Sequence, residues 1–356
     1  AGVGVVGRGV TLGLSRVTSR VAAAFFALLV LGCDASAQQD ASLELEPLPA
    51  LDLCPTPTSG IFEGGRNLGR EDARATPTRL LVLMGGSREV DEASREFVAS
   101  AVGGDLLILR ASGSVTSYPD YFVDDLQPDP SPASVVTVKT DPASAGSAAS
   151  VACRVTRAEA IWLAGGNQWN YLGGWPASLH DSLAAATSRG VSFGGTSAGS
   201  MSLGEWAFDA RNGTVSSATA LAEPTHLDVS VSLSDFPQPE LAGMLVDTHF
   251  MERDREGRLL AFLARAGSDG DQVTGVGIDE RTAVVIRDGR FRVLSGGGSI
   301  WLYRLDGLVI AEQGKPLSVE EVLRMQLPGG SDGAWPPEWA GSVDTLRVVE
   351  GEIQRR

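Results

Sequence analysis

Lysine is almost missing from this 356-residue chain: only Lys139 and Lys315 occur, and the formal net charge is −15. Phosphate binding needs a basic stripe, so nucleic acid is excluded as a partner. An acidic surface of this kind serves solubility before it steers a substrate. Histidine is nearly as scarce, with His180, His226 and His249 scattered along the sequence. They join no cluster of Cys or Asp at metal-ligand spacing, so no metal site is indicated and no cofactor is expected. Three cysteines are too few for a disulfide-built scaffold. Beyond the N-terminal region no apolar run is long enough to span a bilayer. Gly296-Gly297-Gly298 lacks a following Lys-Ser/Thr and helix, which argues against a phosphate loop.

The N-terminal region has the layout of an export signal. Arg8, Arg16 and Arg20 form a positive segment, and Val21 to Leu31 an apolar one too short to cross a membrane comfortably. Val30-Leu31-Gly32-Cys33 resembles a bacterial lipobox, with Cys33 as the lipidated residue, so residues 1–33 are expected to be a lipoprotein-type signal. That places the protein outside the cytoplasm, tethered to a membrane; a plain secretory signal cut near Ala35-Ser36-Ala37 is the alternative. Residues 34–75 are rich in Ala, Pro, Gln and acids without sustained periodicity and read as a tether. Cys54 and Cys153 are either one disulfide or two buried thiols.

From residue 76 the pattern is that of a single large domain. Leu80 to Met84, Leu106 to Leu109, Val135 to Val138 and Ile161 to Ala164 are short, wholly apolar runs. Helical spacing separates them, over Glu89 to Val102 and over Pro176 to Arg189. Strands apolar on both faces and alternating with helices predict an α/β fold, a mostly parallel doubly wound sheet. Beyond Val246 a helix is expected at about 253–266. Closely spaced runs at 273–278, 283–287, 291–294 and 300–305 follow, read as antiparallel additions to the sheet edge.

With 43 glycines in the chain, one glycine-flanked stretch carries the chemistry. Gly195-Thr196-Ser197-Ala198-Gly199 follows the apolar run Val191-Ser192-Phe193 and has the form G-x-S-x-G. That pattern makes a sharp strand-to-helix turn which lifts a serine out of the sheet as a nucleophile. A serine so held needs a base. His249, in Val246-Asp247-Thr248-His249-Phe250, lies at another strand end and is the candidate. His226 sits in an irregular stretch and is the weaker rival. His180 lies within a predicted helix and reads as a packing residue.

The motifs taken together are more specific. Ile161 to Gln168, Gly194 to Gly199, Asp247 to Leu259 and Gly277 to Ala283 resemble, in that order, the cyanophycinase group of serine peptidases. These belong to the peptidase E-like (S51) branch of the class I glutamine amidotransferase-like fold. The resemblance covers about residues 79 to 305. It implies Ser197 as nucleophile, His249 as base, and the N–H groups of Gly166 and Ala198 as the oxyanion hole. It further implies a cleft lined by Gln168, Asp247, Arg253, Arg255 and Arg258. The spacing of Arg255 and Arg258 on one helix face, with Arg253 at its entrance, suits a substrate carboxylate; an ordinary solvated face is the plain alternative for Arg258.

The sequence departs from the family pattern in places. Asn167 stands where the pattern has an acid, and Thr248 where it has glutamine. The orienting glutamate expected after a Ser-Ser turn is absent at Thr219, following Ser216-Ser217-Ala218. Glu223, four residues further on, is the favoured substitute, with Asp209 and Glu205 as alternatives. Asp279-Glu280-Arg281-Thr282 reads mostly as a turn between strands, with Asp279 buttressing the cleft.

The function expected is that of a serine-type, cyanophycinase-like exopeptidase that hydrolyses peptide or isopeptide bonds involving aspartate through an acyl-enzyme. The partner is a peptide, either cyanophycin or an aspartyl dipeptide, and the resemblance also allows a homodimer. A non-catalytic binding lipoprotein on the same fold is the rival from another class, kept in view by Thr219. An α/β-hydrolase-type esterase shares G-x-S-x-G but needs a histidine near the C-terminus, and none follows His249.

Overall fold

The computed structural model describes residues 54–68, 78–141, 143–339 and 343–355, all within the unit Leu48–Arg356. The expected signal segment, Cys33 and the tether up to residue 53 lie outside the described residues. Among those described, no helix is long and apolar enough to cross a membrane.

Seventeen strands occur among the described residues. In chain order they are β1 (Ile61–Asn67), β2 (Leu81–Met84), β3 (Asp105–Arg110), β4 (Ser134–Thr140), β5 (Ala160–Leu163), β6 (Ser192–Thr196), β7 (Trp206–Phe208), β8 (Val231–Leu233) and β9 (Met244–Thr248). There follow β10 (Thr274–Ile278), β11 (Thr282–Arg287), β12 (Arg290–Ser295), β13 (Ser299–Ile310), β14 (Ser318–Pro328), β15 (Asp332–Ala334), β16 (Val343–Val349) and β17 (Glu352–Arg355). They form a nine-stranded sheet in the order β1-β4-β3-β5-β6-β2-β11-β12-β15 and an eight-stranded sheet in the order β17-β16-β14-β13-β10-β9-β7-β8.

The core of the first sheet, β4-β3-β5-β6-β2, is parallel throughout. Its strands are apolar on both faces because both faces are covered. Leu80, Val82 and Met84 pack with Phe97, Phe122 and Trp162 on one side. Leu81 and Leu83 alternate to the other side, where they share a cluster with Leu179 and Leu183 of the helix Ala177–Ser188. The same cluster takes in Val246, Val276 and Ile300, so the two sheets meet across one core. The helix Glu256–Ala266 covers the remaining face of the second sheet with Leu259, Leu260, Phe262 and Leu263.

The α/β architecture, the parallel core and the antiparallel strands near the C-terminus follow the sequence expectation, but the sheet that several of the late strands join and the tether boundary do not. Only β11, β12 and β15 extend the first sheet; β10, β13, β14, β16 and β17 build a second one with β9. Residues 54–67, expected in the tether, belong to the domain. β1 pairs antiparallel along the whole of β4, and Cys54 is bonded to Cys153, Cα to Cα 5.6 Å, across 99 residues of sequence. The segment is half-buried edge strand rather than linker, which its weak periodicity concealed.

Candidate active site

Three strand ends converge where the two sheets meet. β6 of the first sheet delivers Ser197, and β9 of the second delivers His249. β10 lies beside β9 in parallel, with Ile278 opposite Thr248, so the residues after each strand emerge at the same end. The chain then crosses from β10 to β11 through Asp279-Glu280-Arg281 and so from the second sheet to the first. Backbone bonds stitch the junction. The His249 N–H donates to the Gly85 carbonyl at 2.9 Å, the Gly85 N–H to Thr282 at 3.0 Å and the Arg281 N–H to Gly86 at 3.1 Å.

Ser197 has φ 54° and ψ −124°, a backbone conformation costly for a side-chain-bearing residue, on the order of 1–3 kcal/mol. Its N–H donates to the Met84 carbonyl at 3.0 Å. The buried Ser200 hydroxyl lies 2.9 and 2.7 Å from the Met84 and Gly195 carbonyls, which share its one proton, and so locks the turn. Glycine is required at two neighbouring points. A Cβ on Gly199 would sit 2.0 Å from the Leu163 carbonyl oxygen, and one on Gly86, where φ is +95°, 2.5 Å from the His249 ring.

The side chains form an unbroken relay. Ser197 Oγ lies 2.7 Å from His249 Nε2, and His249 Nδ1 lies 2.6 Å from Glu280 Oε1. The acid placed against the imidazole is therefore Glu280, and this corrects the choice of Glu223. Glu223 accepts from Thr225 and from the Gly314 N–H instead. Asp209 is enclosed by Arg211 and Ser230, and Glu205 accepts from the Gly243 N–H. Asp279 braces the crossover, accepting from the N–H groups of Met251 and Ser299 and from the Trp301 indole. The Glu280 N–H donates to Glu252, which fixes the carboxylate's own backbone.

Burial pushes the His249 imidazole below its ordinary pKa, and the bond to Glu280 only partly offsets this; Arg253 and Arg255 add to the depression. The hydrogen bond from His249 holds Glu280 below the usual carboxylate range. The pair thus favours a neutral imidazole beside an ionised carboxylate, the starting state a general base needs. The other histidines are engaged elsewhere. His180 is buried between Asp235 and the Tyr171 carbonyl, and His226 accepts from the Asp228 N–H.

A cleft of about 300 Å³ opens beside Ser197, lined by Gly166, Gln168, Ala198, Arg253, Arg255 and Arg258 among others. Gly166, with φ +151°, and Ala198, which opens the short helix Ala198–Met201, flank the serine there. Gln168 is buried and donates to the Phe208 carbonyl at 3.1 Å. Asn167 caps the following turn, its Oδ1 accepting from the Trp169 N–H at 3.0 Å.

The arginines divide differently from the expectation. The helix begins only at Glu256, so Arg253 and Arg255 precede it and share no helix face with Arg258. Arg258 is buried; its guanidinium donates twice to Asp247, at 2.6 and 2.8 Å, and lies over the rings of Phe208 and Phe262. Asp247 is wholly buried and also takes Arg255 at 3.3 Å, so it acts inside the wall of the cleft rather than on a ligand. Arg255 donates to the carbonyl of Thr248 at 2.6 Å, and burial lowers its pKa to about 10. Arg253, 53% exposed, reaches Glu280 only at 3.8 Å, longer than a hydrogen bond, and projects into the cleft. Thr248 is buried and presents nothing to the cleft.

A hydroxyl, an imidazole and a carboxylate in hydrogen-bonded order, at the carboxyl ends of largely parallel strands, make the constellation of a hydrolase. Residues 81–294 match Peptidase family S51, and the chain belongs to that family of peptidases. A cyanophycinase from Geminocystis herdmanii (strain PCC 6308) is 29% identical over 187 residues, 50% of this chain and 62% of that protein. The chain thus spans less than two thirds of that relative. The crystal structure of a peptidase from an acI-B1 Actinobacterium is similar over 73% of this chain and 98% of that one, with 16% identity and a TM-score of 0.49.

Proposed function

We propose that the protein is a serine-type peptidase that cleaves peptide or isopeptide bonds involving aspartate, as a cyanophycinase-like exopeptidase. The observation that carries this reading is the relay Ser197–His249–Glu280, with contacts of 2.7 and 2.6 Å. Ser197 Oγ attacks the scissile carbonyl while His249 Nε2 takes its proton, and Glu280 holds the Nδ1–H and stabilises the imidazolium. The N–H groups of Gly166 and Ala198 receive the developing oxyanion. His249 returns the proton to the leaving amine, and water, activated by the same imidazole, releases the acyl-enzyme.

The choice of aspartate rests on the cationic wall of the cleft, where Arg253 keeps donors for an incoming carboxylate, and on the likeness to a cyanophycinase. The binding-only alternative drew its support from Thr219, and Glu280 supplies the carboxylate missing there. Anchoring through Cys33 at a bacterial membrane, facing the periplasm or the exterior, belongs to the same proposal, as does pairing of two copies. Cyanophycin, aspartyl dipeptides and simple esters offered to the purified protein test the reading. Release of products from an aspartyl substrate that Ser197→Ala abolishes is expected. Turnover of the esters alone, or of none of the three, contradicts it.

A further inference from the structure

A second compartment, about 400 Å³, adjoins the catalytic cleft and shares Thr214, Arg253, Arg255 and Arg258 with it. Its own walls come from Val215, Ser216, Ala218 and Asp254 among others. The cleft alone sits at the lower bound of ligand sites, roughly 300–1,000 Å³, and the pair lies well inside that range. A ligand that filled only the cleft would leave the outer face of Arg253 in water.

The charges on the dividing wall are unequal. Asp247 takes up both oxygens on Arg258 and part of Arg255, inside the protein. Arg253 is the more exposed of the three and has no carboxylate within hydrogen-bond distance. Against it the outer compartment sets one exposed acid, Asp254, whose backbone carbonyl is tied to the Ser217 hydroxyl. Around the three arginines stand Asp247, Asp254 and, 3.8 Å from Arg253, Glu280, and the guanidinium left without a hydrogen-bonded carboxylate is that of Arg253, which lines both compartments.

Resting on the peptidase reading above, we propose that the outer compartment is a second subsite. It takes the carboxylate of an acidic residue adjoining the one that acylates Ser197. The preferred substrate is then a peptide with acidic side chains at successive positions, held on both sides of Arg253. A guanidinium–carboxylate contact of this kind should favour the acidic residue roughly tenfold in kcat/KM, about 1.4 kcal/mol.

An aspartyl dipeptide, the same dipeptide extended by one aspartyl residue at either end, and the matching asparaginyl extensions separate charge from length. For one of the two ends, the intact protein should cleave the aspartyl-extended peptide about tenfold better in kcat/KM than its asparaginyl counterpart. Ala218→Trp, which fills the outer compartment from an exposed position, should bring that ratio to about one. Ala218→Asp, an acid in the first turn of the helix Ser217–Ala222, is tolerated by the backbone and should lower the ratio as well. A ratio near one in the unmodified protein at both ends, or one untouched in either folded variant, overturns the second subsite while cleavage of the dipeptide leaves the peptidase reading standing. Failure to cleave any of the peptides overturns both.

Discussion

Glu280 comes 63 positions after Ser217 of the Ser-Ser turn that pointed to the orienting acid, yet it lies 2.6 Å from the imidazole. Replacing it by glutamine removes the charge that steadies the imidazolium, and kcat should fall by on the order of 10³–10⁴. Glu223→Gln should leave kcat within about twofold of the unmodified protein, because ordinary surface changes are nearly neutral. Steady-state kinetics on one aspartyl peptide compares the two. The pH profile follows from the same contacts. The neutral imidazole is the base, so kcat/KM rises with pH through the His249 pKa, which burial holds below the ordinary value of 6.5. The acid limb should therefore lie below pH 6.5. Glu280→Gln removes an interaction that raises the pKa and should move that limb further down, whereas Arg253→Ala removes one that lowers it and should move it up. Ser197 and His249 were legible because each follows a buried run at a strand end. Glu280 obeys the same rule, two residues past β10, but its contact with His249 depends on the register of β10 against β9. No local pattern in Asp279-Glu280-Arg281-Thr282 distinguishes that crossover from an ordinary turn.

At the scale of elements, the end of β9 is held by a buried ion pair. Asp247 and Arg258 are both almost wholly enclosed, and Arg255 ties the same carboxylate to the carbonyl before His249. Removing one partner leaves an uncompensated buried charge, so Asp247→Leu should cost about 3–5 kcal/mol in urea unfolding. The double change Asp247→Leu with Arg258→Met replaces the pair by apolar volume and should recover most of that loss. A double variant no more stable than the single one would mean that the arginine is not held by this carboxylate. The arginine spacing pointed to a ligand-facing stripe, and the helix start at Glu256 undid it. Helix boundaries are the least certain part of a periodicity reading, and here three residues of displacement changed which side chains share a face.

Across the whole molecule, the parallel core was readable because every strand in it is a short apolar run followed by a helix. The second sheet was not. β13 and β14 have mixed burial along their length, and pairing between strands far apart in sequence leaves no periodic trace in either one. The join between the sheets nevertheless makes the site, since serine and histidine arrive from different sheets. The bond between Cys54 and Cys153 fixes the edge of the first sheet, well removed in the strand order from β2 and β6. Replacing both cysteines by serine should lower stability by roughly 2–5 kcal/mol, read as a fall in Tm. The kinetics on a dipeptide should stay as they were. A matching loss of kcat at a temperature where the variant is folded would tie the disulfide to the site and contradict this separation.

The most direct test of the central claim is covalent labelling by a fluorophosphonate, with the modified residue located by mass spectrometry of the digested protein. Label on Ser197, abolished by His249→Ala, slowed by Glu280→Gln and kept at full rate in Glu223→Gln, is the predicted result. Label on another residue, or on Ser197 at a rate indifferent to His249 and Glu280, would contradict the account.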